Sequence, residues 1–104
     1  MAQKPGTKPE SLSVGDLCIT DANIDLGRGN GPMVKGTKVL IIGISAERWN
    51  FLGHSKLPVS EIHGLQLYLP DRQGSVHVYK GERYDQDPAA KLVWYKNLRE
   101  VALW

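Results

Sequence analysis

The chain has 104 residues, 41% of them hydrophobic and 23% charged, with a formal net charge of +2. That length suits one globular domain and excludes two full ones, and no apolar run approaches the roughly 20 residues of a membrane helix. A single cysteine, Cys18, excludes an internal disulfide and fits a reducing compartment, so a soluble cytoplasmic protein is expected.

Residues 1–12 hold two prolines, two lysines and little that is apolar. They read as a flexible basic tail with no signal-peptide pattern, which leaves 13–104 as the expected single domain. Gly15 to Thr20 is the first predicted strand, with Leu17 and Ile19 toward the core and Cys18 and Thr20 on the other side. Asp21 to Pro32 is a long loop broken by Gly27, Gly29, Gly31 and Pro32.

Thr37 to Ile44 is the strongest predicted strand. Val39 to Ile42 are all apolar, so both faces read as hydrophobic. One face is expected to fill the core. The other needs a cover, which residues 45–63 would supply as an insertion, or it meets a partner or a second copy in a homodimer. A helical turn is expected within Pro58 to Ile62.

A hairpin follows. Leu65, Leu67 and Leu69 share one face of a strand, and Val76 and Val78 share one face of the next. Pairing Leu69 with Val76 and Leu67 with Val78 places Tyr68 opposite His77, and Gln66 opposite Tyr79, on the outer face. The segment from Lys80 to Ala90 reads as a polar loop, Leu92 to Tyr95 as a strand, 96–100 as a tight turn, and Val101 with Leu103 as a last short strand.

Together these elements make an all-β fold, a small SH3-like barrel of about five strands. The segments GDLCIT, GPMVKGTKVLIIGI and the terminal NLREV resemble SH3-like barrels of the KOW type over residues 14–44 and 93–103. KOW-type domains commonly bind RNA or the transcription and translation machinery. The resemblance would therefore implicate Gly15, Gly31, Lys35, Gly36 and Lys38.

Catalytic patterns are weak. Gly31 and Gly36 have the gap of a phosphate loop, but Thr37 precedes Lys38 and a strand follows in place of a helix. His54, His63, His77 and Cys18 lack metal-ligand spacing, and Asp85 and Asp87 read as turn formers. No enzyme, cofactor or metal is expected.

The expected function is a non-catalytic binding module, a protein adaptor or inhibitor acting by surface occupation. Tyr68, His77, Tyr79 and Trp104 are the candidate partner-binding residues. The alternative is RNA or DNA binding through Arg28, Lys35 and Lys38, which share one loop region.

Overall fold

The computed structural model describes residues 6–26, 32–46, 54–81 and 87–95. The all-β class holds. Nine strands run among the described residues: β1 (Ser11–Ser13), β2 (Leu17–Thr20), β3 (Ile24–Asp25), β4 (Pro32–Met33), β5 (Lys38–Ser45), β6 (Lys56–Pro58), β7 (Gly64–Leu69), β8 (Gly74–Tyr79) and β9 (Leu92–Trp94). Five of them form an antiparallel sheet in the order β8-β7-β5-β2-β9. The last strand therefore returns beside the first strand of the sheet. The sheet stays open among the described residues, with β8 and β9 at its edges, so it is not a closed barrel. β1-β6 and β3-β4 are separate two-stranded ribbons.

One face of the sheet carries the core. Cys18, Val39, Ile41, Ile44, Leu65, Leu67, Leu69, Val78 and Leu92 are all buried there. Leu12, Ile24, Met33, Ile62 and Ala89 close it from the ribbons and connections. Each fully buried aliphatic side chain contributes on the order of 1.5–3 kcal/mol.

β5 is not hydrophobic on two faces in the way its sequence suggests. Its pairing with β7 runs Leu40↔Tyr68, Ile41↔Leu67, then Gly43↔Gln66 and Ile44↔Leu65. Ile42 is the extra residue of a β-bulge, which switches the inward set from Val39 and Ile41 to Ile44. The unbroken apolar run is two alternating segments joined out of phase.

β2 faces the opposite way from the sequence expectation. Cys18 and Thr20 point into the core, while Leu17 and Ile19 are only half-buried on the outer face. Cys18 pairs with Val39 on one side and Trp94 on the other, so its small apolar side chain fills the centre of the sheet. Thr20 tolerates burial because its hydroxyl donates to the Val34 carbonyl at 2.9 Å.

The hairpin keeps its predicted sides but shifts its register by two residues. Leu65 pairs with Val78, Leu67 with Val76 and Leu69 with Gly74. A shift of two leaves every aliphatic residue facing inward, so hydrophobic patterning cannot separate the two registers. The turn decides between them. Arg72 N–H donates to Leu69 O at 3.0 Å, and Gln73 takes a φ of 51°, which closes a shorter loop.

The expected flexible tail is corrected over residues 6–12. Leu12 is fully buried in β1, opposite Leu57 of β6. Upstream, Gly6 N–H donates to Trp94 O at 2.9 Å and Trp94 N–H donates to Thr7 O at 3.0 Å. This segment runs along the outer edge of β9.

The long loop after β2 is also partly ordered. Ile24 and Met33 pair across the β3-β4 ribbon and are both buried. The described part of the predicted insertion, 54–63, packs on the core side through Leu57, Val59 and Ile62, so it does not cover the outer face. It contains the expected turn after Pro58, a 3₁₀ turn at Val59–Glu61. A second 3₁₀ turn, Pro88–Lys91, buries Pro88 and Ala89 in a stretch that reads as a polar loop. The predicted turn at 96–100 and the strand containing Val101 and Leu103 lie outside the described residues.

Candidate functional site

The outer face of the five-stranded sheet brings together the candidate residues of the hairpin. Side chains alternate along each strand, so the residues opposite the core set share this face. On β8 they are Ser75, His77 and Tyr79, and on β7 Gln66 and Tyr68. The shifted register pairs Tyr68 with Ser75, His77 with Gln66, and Tyr79 with Gly64. Tyr68 is thus a diagonal neighbour of His77 and not its direct partner.

Gly64 explains the position of Tyr79. A Cβ at residue 64 would lie 2.8 Å from Tyr79 Cδ1 and 2.9 Å from Cε1, so the phenol ring occupies the space a side chain would take. The ring also lies parallel to His77, with centroids 6.2 Å apart and planes 7° from each other. This packing holds the pair in place while Tyr79 stays 39% exposed.

Sequence reasoning missed the aliphatic part of this face. Tyr68 is level with Leu40, and Leu40 with Leu17, across three adjacent strands. Beside them Lys38 is level with Ile19, and Ile19 with Val93. Leu17, Ile19, Leu40, Tyr68 and Val93 are all half-buried. A local signal for Leu40 existed in its apolar run, but Leu17 and Ile19 had the period of a core face. Lys38 is the one charged residue among the described outer-face positions of the five strands, and its ammonium lies 5.7 Å from the Tyr95 ring centroid. Trp104 lies outside the described residues.

The basic candidates sit at one end of the sheet. Lys35 is exposed on the turn between β4 and β5, and Lys38 begins β5. Arg28 lies outside the described residues. The turn is tied to the end of β2 by several bonds. Thr20 N–H donates to Thr37 O at 3.0 Å and Gly36 N–H to Thr20 O at 2.8 Å. Thr37 N–H reaches Thr20 Oγ1 at 3.0 Å, and the Thr37 hydroxyl donates to Val34 O at 2.6 Å. Gly36 supplies the φ of 91° that the turn requires.

Two further lysines come to this end from distant sequence. Lys35 N–H donates to Asn23 Oδ1 at 2.8 Å, and Lys91 Nζ donates to Asn23 O at 3.2 Å. Lys8 Nζ pairs with Asp21 Oδ2 at 2.6 Å and also donates to Ala90 O. Nothing local in the sequence marks Lys8 or Lys91 as neighbours of Lys35.

The residues with chemical potential remain scattered. Cys18 is buried in β2, and burial followed by the nearby Asp16 charge pushes its thiol up to about 12, so it is neutral and unreactive at pH 7. Asp87 opens the second 3₁₀ turn and lies 3.8 Å from Lys80, while its Oδ1 has no hydrogen-bond partner. Among the described residues no three His, Cys, Asp or Glu side chains gather as a metal site. Also among those residues, no helix is long and apolar enough to cross a membrane. Asp85 lies outside the described residues.

No protein-family model, curated protein or solved structure matches this chain.

Proposed function

We propose that this protein is a non-catalytic, protein-binding module that docks a partner on the outer face of its sheet. The observation that carries the reading is the half-exposed row Leu17, Leu40 and Tyr68, continued toward the edge strand by the stacked His77 and Tyr79. Apolar side chains on a face turned away from the core favour an interface, and tyrosine offers large, stiff area with a polar tip. A single rim charge at Lys38 suits a mainly apolar contact with a fixed orientation. The module would act as an adaptor or inhibitor by occupying its partner's surface. A reducing, cytoplasmic setting is consistent with the one buried thiol.

The test is a Tyr68→Ala, Tyr79→Ala double variant, used with wild type in affinity capture from the source cell. Both side chains are partly exposed, so the variant should fold and lose the partners that wild type retains. Equal recovery of the same partners by a folded variant would refute the face as the binding site.

A further inference from the structure

The two edges of the five-stranded sheet differ. Along β9, Gly6 N–H donates to Trp94 O and Trp94 N–H donates to Thr7 O, so residues 6–7 take up that edge. Among the described residues no strand lies beyond β8. β8 pairs with β7 in unbroken register from Gly74 to Tyr79, and its sequence GSVHVY holds no proline, lysine, arginine or carboxylate. A regular edge without bulge, proline or charge lacks the devices that keep sheets apart. Lys80 N–H donates to His63 O at 2.7 Å, which fixes the phase of the β7-β8 ladder. Antiparallel pairs alternate between bonded and non-bonded, so Val78, Val76 and Gly74 bond to β7, and the N–H and C=O groups of Ser75 and Tyr79 point away from it. The Tyr79 ring lies over Gly64 of β7, which draws it off this edge.

We infer that β8 pairs with β8 of a second copy of this chain, antiparallel about a two-fold axis at His77, so that the two sheets become one. Bonded pairs across the join must match odd-numbered residues, since those point outward. An axis at His77 sets Ser75 opposite the partner's Tyr79, and Tyr79 opposite the partner's Ser75, and each of these pairs exchanges its N–H and C=O groups. An axis one residue earlier would set Tyr79 against Gln73, whose φ of 51° leaves strand geometry, and one residue later would draw in Gly81 beyond the end of β8. On the core side the half-buried Val76 meets the partner's Val78, which continues the apolar layer across the join. The strand carries no lysine, arginine or carboxylate to oppose its own copy, and one self-matching patch is what a two-fold dimer requires. The contact uses the edge of the sheet and leaves the outer face open for docking.

The experiment is sedimentation velocity of the full chain over a concentration series, where a reversible species of twice the chain mass is expected. Ser75→Pro removes an N–H that points away from β7, so the hairpin should fold, but each copy loses a joining bond and the dimer should weaken about tenfold or more. His77→Cys keeps the test valid if that variant melts early. It places two thiols across the axis with Cα atoms about 5.5 Å apart, within disulfide reach, and oxidised glutathione should link the copies rapidly. Asp71→Cys, exposed in the hairpin turn, should not link them, and the native Cys18 is buried. A wild-type chain that stays monomeric at every concentration overturns the inference, including one that takes only an extended peptide at this edge. A dimer unchanged by Ser75→Pro overturns it too, as does crosslinking through residue 77 no faster than through residue 71. Tyr68→Ala, on β7 and away from the edge, should leave the dimer intact, so failure here and failure of the protein-binding face are read separately.

Discussion

Ile41 and Ile42 are adjacent and identical in type, yet the fold predicts opposite fates for them. Ile41 is fully buried and pairs with Leu67 in the middle of the sheet. Replacing it with Asp removes about 2–3 kcal/mol of apolar burial and places an unpaired carboxylate in the core at a further cost of several kcal/mol. That total rivals the roughly 5–15 kcal/mol that holds a domain of this size together, so Ile41→Asp should be unfolded at 25 °C. Ile42 is the unpaired bulge residue and is 39% exposed. A carboxylate there keeps its water, and Ile42→Asp should cost no more than about 1 kcal/mol. Urea titration followed by tryptophan fluorescence and far-ultraviolet circular dichroism measures both. Equal destabilisation by the two substitutions would refute the bulge, and a stable Ile41→Asp would refute the core.

Two other outcomes follow from the same packing. Leu12→Ala should lose about 2–5 kcal/mol, because the side chain is fully buried, and thermal melting should fall by roughly 10 °C or more; an unchanged melting curve would mean that residues 6–12 are a loose tail after all. Cys18 should resist thiol reagents in the native protein at neutral pH and react only on unfolding. Its folded pKa is raised, so its contribution to stability is constant below the ordinary value of 9.0 and is lost as pH climbs toward about 12. Rapid native labelling at pH 7 would contradict this placement.

The candidate site was partly legible before folding. The outer-face assignment of Tyr68, His77 and Tyr79 needed only the two-residue period of the hairpin, and that period survives the shift in register. Leu17 and Ile19 were misread because alternation defines two faces of a strand without saying which one is inside. Hydrophobicity favoured the leucine and isoleucine side. The fold instead buried Cys18 against Val39 and Trp94, and satisfied the Thr20 hydroxyl with Val34. Lys35 and Lys38 are neighbours in the sequence, whereas Lys8 and Lys91 bond carbonyls 82 and 68 residues away, which no local pattern marks.

The sequence by itself determined the all-β class, the sidedness of the hairpin and its inward set Leu65, Leu67, Leu69 and Val78, because alternation and turn chemistry act over a few neighbouring residues. Only the tertiary structure decided the inward faces of β2 and β5, the bulge at Ile42, the burial of Leu12 and the meeting of Lys8 and Lys91 with the loop Asp21–Asn23. Each of these depends on contacts between segments far apart in the chain, where packing and hydrogen-bond satisfaction outweigh local preference.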